Sequence, residues 1–246
     1  MSLEKQIAAA LNACVPLSPD HQLVLPHLTG AELAAMIDHT LLHAAARRDD
    51  LIKLCGEAKT YGFAAVCVNP VWVGECQKLL QDSQIPVCSV IGFPLGATGA
   101  DLKAREASWV VDCGAREVDM VVHVGALLNR EYAVVAKEIE LVVKAAHPWP
   151  VKVILETGLL KTEEIVAGCI IARNSGARFV KTSTGFGPAG ATVEAVHAMR
   201  QTVGSCLGVK ASGGIRDRQA ALQMIAAGAS RIGTSSGVKI SSEEDA

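Results

Sequence analysis

Residues 179–184 read FVKTST, residues 207–213 read LGVKASG and residues 230–236 read SRIGTSS. Each is a short run of aliphatic or β-branched residues that breaks into small polar ones. Toward the N-terminus the same form recurs in AMIDHT (35–40), AAVCVNP (64–70), VCSVIGF (87–93), EVDMVVH (117–123) and VKVILET (151–157). Between these runs lie helix-like segments such as DDLIKLCGEAKTYG, ADLKAREASWVVDCGA, REYAVVAKEIELVVKAA, KTEEIVAGCIIARNSGA and RDRQAALQMIAAGA. Several of them close on a glycine suited to a helix C-cap. Eight strand candidates alternating with helices predict an α/β fold, a closed (β/α)8 TIM barrel. The pieces YGFAAV, CGAREV, SGARFV and AGASRI share one form because the same helix-to-strand turn recurs, and no solenoid repeat is present.

Composition agrees with this fold. Half of the 246 residues are hydrophobic and 4% are aromatic, so the core must be built from Ala, Val, Ile and Leu. Such cores suit parallel strands buried on both faces. No low-complexity linker divides the chain, and the division expected is an N-terminal helical segment over residues 1–30 and a catalytic barrel over residues 31–246.

Charge and cysteine content exclude several function classes. A formal charge of −2 without any Lys/Arg-rich run offers no field for a polyanion, which argues against nucleic acid and for a small substrate. The cysteines at 14, 55, 67, 76, 88, 113, 169 and 206 show neither a CxxC pair nor zinc-site spacing and read as reduced thiols. The N-terminus lacks the form of a secretory signal, and no run of about 18 apolar residues follows. A cytoplasmic protein with no membrane partner is expected.

Strands buried on both faces leave a charged side chain in need of a partner or a purpose, and TIM-barrel chemistry collects where the strands end. Asp38, Asp119, Glu156, Lys181 and Lys210 fall at or near the C-terminal parts of separate strand candidates. The fold would bring all five to one pocket. Lys181 and Lys210 hold equivalent places on neighbouring strands, and two ammonium groups crowded into a dry pocket favour loss of one proton, which makes an amine nucleophilic. Two readings stand: a nucleophilic lysine that attacks a carbonyl, or lysines that only neutralise barrel carboxylates.

The loops after strands 7 and 8 are the usual phosphate site of such barrels. Gly213 and Gly214 let the main chain approach an anion, Ser235 and Ser236 offer hydroxyls, and Gly185 after strand 6 adds a third flexible loop.

The strings DHTLL, AAVCVNP, SVIGFPLG, EVDMVVHVGAL, VKVILET, FVKTSTGFGPAGAT, VKASGGIRD and RIGTSSG, in this order, resemble the deoxyribose-phosphate aldolase family from about residue 34 to 237. The resemblance implies reversible cleavage of 2-deoxy-D-ribose 5-phosphate to D-glyceraldehyde 3-phosphate and acetaldehyde, with no metal and no other cofactor. It implies that Lys181 forms the Schiff base and that Asp119 and Lys210 shuttle protons, with Lys210 also easing loss of the Lys181 proton. It places Asp38 and Thr40 near the substrate and the glycine and serine loops on its phosphate. A homodimer is the assembly expected of such barrels.

Two departures from the family pattern are visible. The chain ends SSEEDA, without the terminal tyrosine of some members, and its tyrosines are Tyr61 and Tyr132. Phe186 follows KTSTG where some members carry a phosphate-binding lysine. Other positions keep two readings each. Cys67 stands either beside the substrate or as an inert buried thiol. His123 either lines the pocket or is a hydrogen-bonded core histidine, and Glu156 is either a catalytic acid or an ion-pair partner of the lysines. His39 and His43, four apart, would share a helix face, but with no third ligand in view no metal is assigned.

Overall fold

The computed structural model describes residues 1–18 and 23–242. Parts of the N-terminal segment and of the SSEEDA tail therefore lie outside the described residues, as do the last four positions of the 31–246 span. Eight strands pair in parallel, in chain order, and close on themselves. They are β1 (Ile37–Leu41), β2 (Ala65–Val68), β3 (Val87–Ile91), β4 (Glu117–Val121), β5 (Val151–Ile154), β6 (Phe179–Lys181), β7 (Gly208–Ser212) and β8 (Arg231–Thr234). The (β/α)8 barrel read from the sequence is the fold.

Two helices precede the first strand, α1 (Leu3–Ala13) and α2 (Gly30–Ala34). The rest follow strands: α3 (Arg48–Tyr61), α4 (Val73–Leu79), α5 (Ala100–Asp112), α6 (Val124–Leu128), α7 (Tyr132–Ala146), α8 (Thr162–Asn174), α9 (Val193–Val203), α10 (Arg218–Ala226) and α11 (Gly237–Ser242). On α1 the residues Leu3, Ile7, Ala10 and Leu11 form one apolar stripe that packs into the core. Gln6 accepts from Asn174 at the end of α8, and Val15 N–H donates to Gln201 of α9. The leading helix is thereby seated on the wall formed by α8 and α9.

Alternation along each strand separates two environments. Residues facing outward, such as Val66, Val118, Val153 and Val180, join the helices in one continuous aliphatic core. The inward face is unusual for a barrel. Ala65, Cys67, Cys88 and Val90 form an apolar patch there, and the other strands each bring at least one charged side chain to the interior.

Phe179 lies below this charged interior, with Lys152 Nζ at 5.9 Å and the Arg231 guanidinium at 5.6 Å from its ring centroid. Both distances suit cation–π attraction. Gly208 on the next strand makes room for the ring, because a Cβ at that position would fall 2.1 Å from two Phe179 ring carbons. Gly208→Ala should therefore displace the ring and cost about 1–3 kcal/mol, as overpacking does. Urea denaturation measures this, and Gly208→Ala with Phe179→Leu should recover most of the loss.

Candidate active site

Strand register gathers the charges. β4 and β5 align Asp119 with Lys152, β6 and β7 align Lys181 with Lys210, and β7 and β8 align Lys210 with Arg231. Asp38 on β1 stands opposite Gly233, where a Cβ would approach Lys210 Cε to 2.9 Å. Glycine at 233 thus leaves the Lys210 side chain its path across the barrel.

Asp119 is the hub. Its Oδ2 accepts from Lys181 Nζ at 2.9 Å and Lys210 Nζ at 2.7 Å, and its Oδ1 accepts from Lys152 Nζ at 2.9 Å and from the Cys88 thiol at 3.1 Å. Asp38 forms a second centre, taking Lys210 on Oδ2 at 2.5 Å and Arg231 on Oδ1 at 2.6 Å. Lys152 also reaches Glu117 Oε2 at 2.5 Å. Asp38, Asp119, Lys152 and Lys210 are fully buried, and Lys181 is 2% exposed.

Burial alone would drive these groups toward neutrality, and their partners decide the outcome. Burial raises the Asp119 carboxyl, but Lys152, Lys181 and Lys210 outweigh it and hold the group well below the usual carboxylate range. For Asp38 burial is likewise overcome by Lys210, Lys152 and Arg231, so it too stays ionised. Burial depresses the Lys210 amine, yet Asp119 and Asp38 keep it above the ordinary lysine value. Lys210 is a stable cation here. The bare contact of two ammonium groups expected from the sequence is bridged by Asp119, which sits between them.

A cavity of about 280 Å³ opens above this network at the C-terminal rim of the barrel. Lys181, the last residue of β6, lines it, and no other lysine among the described residues does. Thr40, Gly185, Gly213, Gly214 and Ser235 also line it. Gly185, Gly213 and Gly214 have φ of 86°, 87° and 79°, values that side chains resist. The loop after β6 is pinned to the loop after β7 by Ala191 N–H on Gly213 C=O at 3.0 Å. Arg216, Ser212 and Thr234 complete that side, and Phe186, edge-on to Phe93 at 5.4 Å, forms another wall.

Other sequence candidates lie elsewhere. Asp38, Asp119 and Lys210 sit mid-strand, below the cavity, because their strands continue two or three residues beyond them, to Leu41, Val121 and Ser212. Ser236 is set back from the cavity, its N–H on Thr234 Oγ1 at 2.9 Å. Cys67 is buried against Cys88 inside the barrel and does not reach the cavity. Cys67, Cys88 and Asp119 offer ligand atoms within 4.8 Å of one another, but lysines already hold Asp119, so this electropositive spot suits no cation.

Glu156 pairs with none of the lysines among the described residues and borders a neighbouring pocket that shares Thr184 and Phe186 with this cavity. At φ 59° its Oε2 accepts from the Thr184 N–H at 3.2 Å and the Thr184 hydroxyl at 2.5 Å, bracing the loop that carries Gly185. His123 is neither pocket wall nor core. It is exposed and caps α6, its Nδ1 accepting from Ala126 N–H at 3.0 Å. His39 and His43 part company because the segment is a strand and not a helix: His39 faces outward to Glu57 at 2.7 Å, and His43 lines the cavity.

Strand-end reasoning missed Lys152, Glu117, Arg231 and Arg216. Three were detectable by alternation, since Glu117 shares a face with Asp119, and Lys152 and Arg231 interrupt otherwise apolar strands. Arg216 lies on a loop, where an arginine is unremarkable.

A family model described as DeoC/LacD family aldolase matches residues 33–243. A protein of Carboxydothermus hydrogenoformans named deoxyribose-phosphate aldolase is 55% identical over 217 residues, covering 87% of this chain and 95% of that protein. Among solved structures, one from Coccidioides immitis superposes with a TM-score of 0.91 at 40% identity, covering 98% of this chain and 97% of the other. Another, described as a tetrameric deoxyribose phosphate aldolase from Aeropyrum pernix, has a TM-score of 0.81 at 34% identity, with coverage of 98% and 97%.

Lys210→Met leaves Asp38 and Asp119 each short of a cation in a dry interior. Removing one partner of a buried ion pair costs about 3–5 kcal/mol. Chemical denaturation should show a loss in this range, with the barrel still folded in the absence of denaturant.

Proposed function

The chain belongs to the DeoC/LacD family of aldolases, and we propose that its reaction is the reversible cleavage of 2-deoxy-D-ribose 5-phosphate to D-glyceraldehyde 3-phosphate and acetaldehyde. The observation that carries the mechanistic reading is the placement of Lys181, at the cavity with its amine on Asp119 and Lys210 behind that carboxylate. Four cations, Lys152, Lys181, Lys210 and Arg231, face three carboxylates, Asp38, Glu117 and Asp119, so release of one proton leaves the group balanced.

The neutral Lys181 amine attacks C1 of the open-chain sugar, and loss of water gives an iminium. Removal of the C3 hydroxyl proton turns C3 into the aldehyde of glyceraldehyde 3-phosphate. The C2–C3 bond breaks, and its electron pair moves into the iminium to form an enamine. Protonation at C2 and hydrolysis release acetaldehyde and restore Lys181. The Asp119–Lys210 pair moves the protons. Gly185, Gly213, Gly214 and Ser235 receive the phosphate with main-chain N–H groups and a hydroxyl, and Arg216 supplies the cation that Phe186 does not. Thr40 borders the sugar. Asp38 acts from below the cavity by holding Lys210, and Cys67 is a buried thiol beneath the cavity.

Self-association is part of this reading. Leu102 and Trp109, 57% and 50% exposed and two turns apart on α5, give one outward apolar face suited to a homodimer. Light scattering of Trp109→Glu tests it. All eight cysteines are unpaired, which fits the cytoplasm.

Release of glyceraldehyde 3-phosphate from deoxyribose 5-phosphate is the test of the reaction. Lys181→Leu should lower the rate by about 10⁶-fold, as loss of a covalent nucleophile does elsewhere. Retained cleavage in that variant would remove the proposed chemistry. Arg216→Ala should raise KM for the phosphorylated sugar about tenfold, a loss near 1.4 kcal/mol, with kcat within twofold.

A further inference from the structure

Lys152 belongs to no step above, yet it holds a position that a merely structural lysine does not need. It is fully buried in β5, outside the cavity lining, and its amine lies 2.9 Å from Asp119 Oδ1, 2.5 Å from Glu117 Oε2 and 3.7 Å from Asp38 Oδ2. The two oxygens of Asp119 are thereby divided. Oδ1 belongs to Lys152 and the Cys88 thiol, and Oδ2 belongs to Lys181 and Lys210.

A carboxylate turns easily about its Cβ–Cγ bond unless both oxygens are claimed. With Oδ1 released, Asp119 could offer either oxygen, or both, to Lys181 and Lys210, and the shared oxygen between the two amines would be lost. That shared oxygen is what puts the nucleophile and the proton carrier on one atom. Cys88 is no substitute anchor, since a thiol is a weak donor and carries no charge.

We propose that Lys152 is a positioning residue for proton transfer, fixing Asp119 so that Oδ2 alone faces Lys181 and Lys210. It touches no substrate. Its effect passes through Asp119, and the inference rests on the Schiff-base reading of Lys181.

The pH dependence follows from the groups that surround Asp119: Lys152 on β5, Lys181 on β6, Lys210 on β7, Cys88 on β3, Cys67 on β2, Asp38 on β1 and Glu117 on β4, with Arg231 on β8 reaching the last two acids. Among the charges that hold the buried Asp119 ionised, Lys152 is foremost. Its removal raises the folded-state value of Asp119. Ionised Asp119 is then lost at a higher pH as the solution is acidified, so the acid limb of activity moves up.

Exchange of the acetaldehyde methyl protons in deuterated water isolates the step. Acetaldehyde condenses with Lys181 with loss of water, the iminium gives a C2 proton to the Asp119–Lys210 pair, and the enamine takes up a deuteron before hydrolysis. In Lys152→Met the exchange rate should fall by at least about tenfold, within the range of acid–base effects. KM should stay within twofold and the acid limb should move to higher pH. Glu117→Gln weakens the other side of Lys152 but leaves its bond to Asp119, so it should lose stability while slowing exchange far less than Lys152→Met does.

If Lys152→Met does not fold, Lys152→Met with Glu117→Leu removes one charge of each sign and should show the same slow exchange. Exchange at the parent rate in either Lys152 variant, or an equal slowing in Glu117→Gln, overturns the proposal. A parent chain that neither exchanges nor cleaves would instead overturn the Schiff-base reading.

Discussion

The interior of this barrel is organised by the cost of burying charge. Transfer of an ion into a dry interior is expensive, and only good partner geometry offsets it. Here Asp119, fully buried, meets three ammonium groups within 2.9 Å, and Asp38 meets Lys210 and Arg231 within 2.6 Å. In the resting site both acids are held ionised and Lys210 is held protonated, so the Asp119–Lys210 pair starts with a carboxylate to accept a proton and an ammonium to give one. The network is fixed in position, each acid being held by more than one cation. Among the described residues, Lys181 is the member of the network that lines the cavity.

The rest of the molecule serves that arrangement. Register across β4 to β8 puts the charged side chains at matching heights, and the outer aliphatic core keeps the strands closed around them. Phe179 seals the lower side, and Gly208 and Gly233 leave space where a methyl group would collide with the ring or with Lys210. On the upper side Glu156 braces the loop after β6, and that loop is tied to the one after β7. The proposed nucleophile, proton carriers and anion-binding main chain are thus supplied by elements that lock one another.

Much of this is legible in the sequence because it is periodic. Apolar runs separated by helix-length segments leave few folds open, and a lysine inside FVKTST has no place in an aliphatic strand without a task. Depth was harder to read. Sequence runs mark where apolar character ends, but hydrogen-bonded strand ends are set by pairing with neighbours, and Asp38, Asp119 and Lys210 consequently sit lower than their motifs suggest. Lys152 and Arg231 escaped notice for the opposite reason, since they lie away from the strand ends where chemistry is usually sought. Glu156 and His123 depend on local backbone geometry, a left-handed residue and a helix cap, for which no spacing rule exists.

The placement of Lys181 as the one amine open to a carbonyl is tested most directly by reduction with borohydride in the presence of acetaldehyde, followed by peptide mass spectrometry. A stable ethyl adduct on Lys181, and on neither Lys152 nor Lys210, is the expected result. Absence of any adduct, or an adduct on one of the two deeper lysines, would contradict it.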